Sequence, residues 1–383
     1  MELAPDIRVF ISTLSGGGAE RVCLILCNGW VEMGLRVQLI MARGGGVFLD
    51  QLDRQVDVVD LKAGRNRKSF FRVIRALRPH SETPVLVFGL DLAILLIMAK
   101  LLGQVRSPLI YREGSHPRDN TLPVFRPVYK VLIPRFDHVI AQSSFARAEL
   151  MSLGVPGDRI VVIPNPAHCA GNGTGHRMGQ SSKADRGGRQ GMVFIAVGRL
   201  SREKGFDRLV RSFLPVIQEY PDATLTILGE GPDRESLTRL VTSLGLEGKV
   251  FLPGFTANLS EWYGRATAYI LSSHYEGMPN ALVEAILHDC PVICARTRGG
   301  VEELLGICGL QGALVGENNF EQELVTKIKE LVRTDVVDWV QVREKLERHI
   351  APQKVVREYA MACASSRCPP GAGLHESSRG ASS

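Results

Sequence analysis

Short apolar segments alternate with longer amphipathic segments along the first 167 residues. The short segments are rich in β-branched side chains, as buried strands are, and the longer ones have the apolar spacing of helices. A helix is predicted at residues 16–34, where it begins at a run of glycines. Strands are predicted at residues 8–13, 36–42, 85–88, 108–113, 138–143 and 161–166. This alternation favours a parallel, doubly wound sheet.

The alternation stops at residues 168–190 and restarts after them. That stretch consists mostly of Gly, Ser and charged residues, which predicts a linker or an exposed loop. Beyond it, strands are predicted at residues 192–198, 223–229, 249–254 and 268–273, with helices at 206–220 and 234–245. The predicted fold is α/β, with two Rossmann-like doubly wound domains that face a cleft. Its regions are a first domain at 1–167, the linker, a second domain at 191–350, a helix at 351–366 and a disordered tail at 367–383.

The most apolar stretch, residues 92–102, is too short to cross a membrane. About twenty apolar residues are needed for a span, and this stretch has Asp91 before it and Lys100 within it. A buried helix is predicted instead. The apolar fraction of 45% and the charged fraction of 22% are those of a soluble globular protein. No signal peptide is visible and the eight cysteines form no C-x-x-C pair, so a cytoplasmic chain with reduced thiols is expected.

The net charge of +6 is concentrated in the first half of the chain. Much of it lies in residues 62–80, where arginines interleave with apolar side chains, and residues 122–136 repeat the mixture. Such a stretch is typical of a basic amphipathic helix that lies on an anionic membrane surface. An ordinary surface helix with solvated arginines explains the pattern equally well. A nucleic-acid partner is not expected, because no recognised binding motif accompanies the charge.

Two loops that follow predicted strands carry candidate phosphate-binding residues. In open α/β sheets, ligands bind beyond the carboxyl ends of the strands, where helix N-termini present unpaired N–H groups. The first loop, residues 14–21, has Gly16 and Gly18 but Arg21 where the dinucleotide fingerprint needs a third glycine. An NAD-binding site is therefore disfavoured, and a glycine cluster of this kind is often only a tight turn.

The second loop, residues 197–210, places Arg199 and Lys204 between a buried strand and a helix. Arg provides a planar fork of donors and Lys a compact charge, and the pair is suited to a diphosphate. A solvated loop is the simpler alternative for these two residues.

The segment SSHYEGMPNALVEA carries two glutamates eight positions apart. Pro279 and Asn280 have the character of a turn and an N-cap, which predicts a helix from about Ala281 with its N–H groups facing the cleft. Glu276 lies before the turn and Glu284 one turn into the helix, so the two carboxylates can reach different parts of one ligand. A carboxylate accepts hydrogen bonds from hydroxyls. Glu284 is suited to vicinal hydroxyls, as on a ribose, and Glu276 to a sugar beyond the phosphates.

Five motifs stand in order along the chain. They are the amino-terminal SGGGAERV, VGRLSREKGFDRLV at 197–210, ILGEGPDRESL at 227–237, LPGF followed by Asn258, and E-x7-E within SSHYEGMPNALVEA. Together they resemble the group 1 family of retaining glycosyltransferases, which have the GT-B fold. The resemblance covers about residues 8 to 362, and the second domain is its more specific half. It implies that the final helix crosses back to pack on the first domain.

The resemblance implies a donor site for a nucleotide-sugar that needs no metal and no other cofactor. Arg199 and Lys204 would hold the donor's diphosphate, Glu284 would bind the ribose, and Glu276 would bind the donor sugar. The other donor contacts that it implies are Gly17 and Gly18 at the phosphates, Gly254 and Phe255 at the base, and the backbone of Gly277, Met278, Pro279 and Asn280 at sugar and phosphate oxygens. Retention would follow from front-face departure, in which a phosphate oxygen of the leaving group takes the acceptor's proton.

The acceptor side is predicted at residues 111–117, which follow a strand of the first domain. Arg112, Glu113 and His116 are candidates, and His116 is the first choice for a catalytic contact. A lone histidine is as often structural. The sequence departs from the family pattern at Cys290, where the family usually has glycine, and this bears on packing near a helix end.

Three functions compete. The leading one is a retaining transferase that moves a hexose or N-acetylhexosamine from a UDP-sugar to a lipid-linked or polysaccharide acceptor at the inner membrane face. A catalytically silent nucleotide-sugar-binding protein would be expected to lack Arg199, Lys204 or Glu276, and all three are present. An NAD-dependent oxidoreductase would need the missing glycine. Donor sugar, acceptor and linkage depend on variable loops of the first domain.

Overall fold

The computed structural model describes residues 4–15, 17–63, 68–114, 130–167, 191–256, 258–316, 319–333 and 337–366. Within them, a parallel seven-stranded sheet forms the centre of the first domain, with the strand order β3-β2-β1-β4-β5-β6-β7. Its strands are β1 Ile7–Ile11, β2 Val37–Met41, β3 Asp57–Asp60, β4 Val85–Phe88, β5 Leu109–Arg112, β6 His138–Ala141 and β7 Ile160–Val162. The order reverses between β1 and β4, which opens a crevice at their carboxyl ends.

Helices cover both faces of this sheet. They are α1 Gly18–Glu32, α2 Lys68–Leu77, α3 Leu90–Leu101 and α4 Ser144–Ser152. One apolar cluster joins α2, α3 and α4 to one face, and a second cluster joins α1 to the opposite face. Successive residues of a strand point to opposite faces, so in β1 Val9 and Ile11 belong to the α1 cluster and Phe10 to the other.

The second domain is built on another parallel sheet, with the strand order β10-β9-β8-β11-β13-β15, and on a separate pair, β12 and β14. Its strands are β8 Val193–Val197, β9 Thr224–Leu228, β10 Val250–Gly254, β11 Ala268–Leu271, β12 Tyr275–Glu276, β13 Val292–Ala295, β14 Arg298–Gly299 and β15 Leu314–Val315. Its helices are α5 Phe206–Glu219, α6 Arg234–Ser243, α7 Ser260–Arg265, α8 Asn280–Leu287, α9 Val301–Cys308, α10 Phe320–Arg333 and α11 Trp339–Ile350.

A last helix, α12 Pro352–Ser365, leaves the second domain and packs on the first. Its Val355, Val356 and Tyr359 are buried in the α1 cluster. The indole nitrogen of Trp30 in α1 donates a hydrogen bond to the carbonyl of Val356 at 3.0 Å. The two helices approach closely at Gly29, where an added Cβ would lie 2.8 Å from Val356 Cγ2.

The predicted architecture of two parallel-sheet α/β domains is confirmed, and every predicted strand is present. The largest boundary difference is in β7, which ends at Val162 rather than at residue 166. β3 was not predicted, because its two valines are too few to form an apolar pattern between Asp57 and Asp60. It lies at the sheet edge with most of its side chains exposed.

The apolar stretch at residues 92–102 forms most of α3, but only one side of this helix is buried as predicted. Met98 and Leu101 on its other side are 42% and 53% exposed. Among the residues that the structure describes, no helix combines the length and the apolar character that a bilayer crossing requires. The predicted linker at residues 168–190 and the predicted tail at residues 367–383 lie outside the described residues.

Candidate active site

Glu276 and Lys204, which the sequence placed in one site, are in direct contact. Lys204 Nζ donates a hydrogen bond to Glu276 Oε1 at 2.7 Å, and Ser273 Oγ donates to the same oxygen at 2.6 Å. Glu276 is buried, and its ammonium partner is partly buried. A buried carboxylate requires such partners. The chain therefore holds a carboxylate and a cation together at the end of β12.

A tight turn positions Lys204 for this contact. The turn Arg202–Lys204 ends at Gly205, whose φ is +60°. An added Cβ on Gly205 would lie 2.3 Å from the carbonyl oxygen of Ser272, so only glycine fits there. The hydroxyl of Ser272 in turn donates to the carbonyl of Lys204 at 2.9 Å. The turn and the loop before Glu276 thus pack backbone against backbone.

Arg199 lies in the same loop after β8, but its side chain is exposed. Its carbonyl accepts a hydrogen bond from Ser201 Oγ at 3.3 Å. The guanidinium makes no ion pair with a residue that the structure describes. Arg199 is therefore available to an anion that enters beside Lys204, as a diphosphate site would require.

Glu284 projects from α8 toward the first domain, where Arg21 donates a hydrogen bond to it. Arg21 lies in the first turns of α1, and its guanidinium sits over the ring of Phe48 at 5.7 Å. Burial raises the pKa of the Glu284 carboxyl above its ordinary value, and the Arg21 guanidinium opposes that shift. Arg21 was noted in the sequence only as the residue at the place of the third fingerprint glycine, and its contact with Glu284 was not predicted.

The turn between the two glutamates contacts the first domain. Asn165 donates from its backbone N–H to Met278 Sδ at 2.9 Å, and from Nδ2 to Asn280 Oδ1 at 2.9 Å. An added Cβ on Gly277 would lie 3.3 Å from Gln142 Oε1. Gly277, Met278 and Asn280, which were predicted as donor contacts, thus lie at the boundary between the domains.

One local prediction for this turn is wrong. The helix α8 begins at Asn280, one residue earlier than expected, and the cap position is Pro279. Asn280 does not cap the helix with its side chain, because Asn165 engages the side-chain oxygen that a cap would use. The N–H groups of the first turn of α8 nonetheless lie at the domain boundary.

The glycine turn before α1 faces this helix across the boundary. Gly17 precedes the helix, and an added Cβ on it would lie 2.3 Å from Glu20 Oε2. An added Cβ on Gly18 would lie 2.6 Å from Asn280 Nδ2. Gly18 therefore leaves the room into which the Asn280 amide extends, and the starts of α1 and α8 converge here.

The predicted base-contacting residues lie at the end of β10. Gly254 has a φ of +101°, and an added Cβ there would lie 2.8 Å from Glu230 Oε1. The next residue, Phe255, is 59% exposed. An exposed aromatic ring after a parallel strand offers a stacking surface for a planar base.

The acceptor-side candidates are only partly described. His116 lies outside the described residues. Arg112 and Glu113 are buried at the end of β5, and Arg112 donates to Tyr359 Oη at 3.2 Å and to Asn165 Oδ1 at 2.6 Å. Burial among protein partners makes Arg112 a poor acceptor contact. Cys290, the departure from the family pattern, is fully buried in the α8 cluster.

Two adjacent glycines that were not predicted from the sequence pack against the backbone of Glu276. Gly299 in β14 has a φ of +118°, and an added Cβ there would lie 1.8 Å from the carbonyl oxygen of Glu276. The N–H of Gly300 donates to that same oxygen at 2.9 Å. The signal that could have found them is the Gly-Gly pair shortly after the apolar run at residues 291–295.

Comparison with known families accounts for both domains. Residues 16–170 match the family described as "Glycosyltransferase Family 4", and residues 191–334 match the family described as "Glycosyl transferases group 1". Among curated proteins, an uncharacterized glycosyltransferase of Methanocaldococcus jannaschii is 38% identical over 113 residues, which cover 30% of this chain and 28% of that protein. Several such relatives match over only about a third of their length or less, which reflects a match to part of each chain.

Other similarities extend over nearly the whole chain. A Campylobacter jejuni alpha-1,4-N-acetyl-D-galactosaminyltransferase, named for a diNAcBac-PP-undecaprenol-linked glycan, is 25% identical over 353 residues, covering 85% of this chain and 92% of that protein. Among solved structures, Anabaena Alr3699/HepE in complex with UDP-glucose superposes with a TM-score of 0.76 at 18% identity, covering 94% of this chain and 99% of that one. At that identity the structural likeness establishes the fold.

Proposed function

Because the chain belongs to the group 1 glycosyltransferases, we propose that it transfers a sugar from a UDP-sugar to a lipid-linked or polysaccharide acceptor in cell-envelope glycan synthesis. The similarity to HepE bound to UDP-glucose supports the choice of nucleotide. The similarity to a Campylobacter jejuni transferase named for a PP-undecaprenol-linked glycan supports the choice of acceptor class. The sugar is proposed as a hexose or an N-acetylhexosamine.

The observation that carries this proposal is the contact between Lys204 and Glu276, with Glu284 on the helix that follows. A nucleotide-sugar needs cations at its diphosphate and carboxylates at its hydroxyls. In the proposed complex Lys204 and Arg199 bind the diphosphate, Glu276 accepts from the donor sugar, and Glu284 accepts from the ribose. Phe255 lies against the uracil.

The proposed reaction retains the anomeric configuration. The bond between the anomeric carbon and the diphosphate breaks while the acceptor oxygen bonds to the same face of that carbon. The acceptor's proton passes to an oxygen of the departing phosphate. Lys204 and Arg199 stabilise the negative charge that develops on the leaving UDP, so catalysis rests on positioning and electrostatics. No metal is expected, and a contact of His116 with sugar or acceptor stays a prediction.

Calorimetry with UDP, GDP and ADP tests the donor site. We expect UDP to bind, and Lys204→Ala and Glu284→Ala to weaken it by about tenfold or more, since each removes a charged hydrogen-bond partner. Lys249→Ala is the matched control, because Lys249 lies in the same domain and donates to the carbonyl of Pro221. If no nucleoside diphosphate binds, or if the two variants bind as wild type does, the assignment is wrong.

A catalytically silent binding protein would give the same calorimetry, so transfer itself must be measured. Radiolabelled sugar from UDP-sugars should move into undecaprenol-diphosphate-linked glycans in the presence of the wild-type protein. Glu276→Gln removes the charge at the sugar while keeping the side-chain shape, and we expect it to bind UDP but to lose transfer. Binding without transfer in the wild type, over a panel of donors and acceptors, would favour the silent alternative.

We further propose that α2 and α3 of the first domain rest on an anionic membrane surface. Phe71 of α2 is 70% exposed, and Met98, Leu101 and Leu102 near the end of α3 are 42%, 53% and 61% exposed. Other residues of α2 and α3 pack both helices on the same face of the sheet. Of the arginines at residues 62–80, Arg72 donates to the carbonyls of Leu61 and Lys62, which hold its guanidinium in place without neutralising its charge.

Vesicle flotation tests this surface. We expect the protein to float with vesicles rich in phosphatidylglycerol and not with phosphatidylcholine alone, and Phe71→Ser with Leu102→Ser to reduce flotation. Val340→Ser is the control, because Val340 is 59% exposed on α11 in the other domain. Equal flotation of wild type and the double variant would contradict the proposal.

A further inference from the structure

A chain of four polar side chains runs from α12 to the start of α8. Arg112 donates to Tyr359 Oη at 3.2 Å and to Asn165 Oδ1 at 2.6 Å, and Asn165 Nδ2 donates to Asn280 Oδ1 at 2.9 Å. Tyr359, Arg112 and Asn165 are all buried, and Arg112 also lies over the ring of Phe88 at 5.2 Å. The chain links the last helix, the first domain and the donor-site turn.

The chemistry of Arg112 fixes the orientation of every amide beyond it. A guanidinium only donates hydrogen bonds, so the Asn165 atom that faces Arg112 must be the oxygen. The other end of that amide is then the NH₂ group, which only donates. Asn280 must therefore present its oxygen to Asn165, and its own NH₂ group must face away. The positions of the amide oxygen and nitrogen atoms thus follow from the fact that a guanidinium has only hydrogen-bond donors.

The Asn280 NH₂ group points to the place where the donor's diphosphate is proposed to bind. It lies 2.6 Å from the position of an added Cβ on Gly18, where the starts of α1 and α8 meet. It makes no hydrogen bond to a residue that the structure describes. Amide N–H groups at converging helix starts favour an anion.

We propose that Arg112 and Asn165 are positioning residues that orient the Asn280 amide so that its NH₂ group donates to the diphosphate of the bound nucleotide. This inference rests on the proposed function and names a role for two buried residues that touch no substrate. It also gives a role to a buried arginine that makes no ion pair with a carboxylate of the described residues. The arginine defines which atom of each amide is the donor.

Asn165→Asp is the informative substitution. An aspartate still accepts from Arg112, but it no longer donates to Asn280. The Asn280 amide then turns so that its NH₂ group faces the new carboxylate and its oxygen faces the diphosphate. We expect UDP to bind about tenfold to a hundredfold more weakly, because a donor to a charged group has been replaced by an acceptor.

Asn28→Asp is the matched control. The Asn28 side-chain amide in α1 also donates to one acceptor, the backbone carbonyl of Gln51 at 3.0 Å, and accepts from one donor, the backbone N–H of Asp53 at 2.9 Å. The substitution therefore also replaces one amide donor by a carboxylate oxygen, in this case without a link to the donor turn. We expect it to leave the affinity for UDP unchanged, and thermal unfolding of both variants separates stability from binding.

A double-mutant cycle distinguishes positioning from a general effect of the new charge. Asn280→Ala removes the NH₂ group, so Asn165→Asp should cost no further affinity in that background. Asn165→Asp could lower the affinity for UDP as strongly in the Asn280→Ala background as in the wild-type background. The new carboxylate would then act directly on UDP, and the positioning role would be wrong. The positioning role is also wrong if Asn165→Asp binds UDP with the affinity of the wild type. If Lys204→Ala still binds UDP more weakly in that case, the assignment of the donor site is kept. If the wild type binds no nucleoside diphosphate, the proposed function and this role both fail.

Discussion

At the scale of single residues, Glu284 shows how burial and a charge compete. Its side chain is 20% exposed, and burial raises its pKa while Arg21, whose guanidinium donates to it, lowers it. The ionised carboxylate accepts hydrogen bonds at both oxygens and can accept more than two, whereas in the protonated form one oxygen carries a proton and donates. Its capacity to bind two ribose hydroxyls therefore depends on pH.

The affinity for UDP-glucose should fall as the pH is lowered through the pKa of Glu284. The folded pKa lies above the ordinary value of 4.5, so the loss should begin at a higher pH than for an exposed glutamate. UDP-glucose is the probe because its diphosphate diester does not titrate in this range, unlike the terminal phosphate of UDP. Calorimetry from pH 7 to about pH 4.5 measures the effect.

Two variants check the assignment of this titration to Glu284. Glu284→Gln should bind more weakly at every pH and show a flat profile. Arg21→Ala removes the cation that lowers the pKa, so its midpoint should move to higher pH. A profile that is identical in wild type and Glu284→Gln would assign the titration to another group.

Gly299→Ala should disturb Glu276 through its backbone. The substitution combines a φ of +118° with a Cβ only 1.8 Å from the Glu276 carbonyl oxygen. Gly309→Ala is the control, since Gly309 has a φ of +76° but its nearest atom to an added Cβ is the end of Lys345 at 3.6 Å. Backbone strain should lower the free energy of unfolding of both variants by about 1–3 kcal/mol, which chemical unfolding measures. Only Gly299→Ala should also lower the affinity for UDP-glucose. Equal binding by both variants would show that the close approach does not matter.

Site residues that could be predicted from the sequence belong to short motifs. Those that were missed have their partners far away along the chain. Glu276 and Lys204 belong to motifs whose spacing can be seen within one segment each. Arg21 binds Glu284 across 263 positions, and Asn165 binds Asn280 across 115. Neither contact produces a repeating pattern in the sequence, because each depends on how the two domains pack against each other.

At the scale of helices and strands, the alternation of apolar and amphipathic segments predicted most strands of the two main sheets but missed β3, β13 and β15. Strands buried on both faces read as continuous apolar runs, and β1, β4 and β5 are fully buried. The start of α8 was misplaced because a tertiary contact from Asn165 competes for the expected cap. Local signals thus fail where another domain intervenes.

The packing of α12 on α1 should depend on Gly29. Gly29→Ala places a methyl group 2.8 Å from Val356 Cγ2, and overpacking of this kind costs about 1–3 kcal/mol. We expect a lower midpoint of thermal unfolding for Gly29→Ala. Val356→Ala in the same chain makes room for the methyl group, so the double variant should be more stable than the sum of the two single changes predicts. Strict additivity would contradict a direct contact between these positions.

At the scale of the whole molecule, the described hydrogen bonds between the two sheet domains lie in two areas, one around the turn and helix that carry Glu276 and Glu284, and one at the start of α4. In the second area Glu303 of α9 accepts from the backbone N–H of Ser144 at 2.8 Å and from its hydroxyl at 3.1 Å. A carboxylate is favourable at the N-terminus of a helix, here α4. The sequence predicted two domains and a cleft but could not predict which residues would close it.

Glu303→Ala should shift the protein toward more open arrangements. The contact is exposed, so the population ratio should change by only about twofold to fivefold. Glu302→Ala is the matched control, because the neighbouring Glu302 pairs with Arg296 inside the second domain. Distances between spin labels, one on each domain, report the populations, and equal distance distributions for the two variants would show that Glu303 does not hold the cleft.

The return of α12 to the first domain also sets the order in which the protein can fold during synthesis. Residues 352–365 leave the ribosome after both sheets have been made, yet they fill the groove beside Trp30 in the domain that was made first. The groove on the first domain therefore stays exposed until α12 has been synthesised. The core of the second domain can form before that, because its segments precede α12 in the sequence. A fragment that ends before α12 therefore lacks part of the first domain's interior, and a separate peptide with the sequence of α12 is the missing piece.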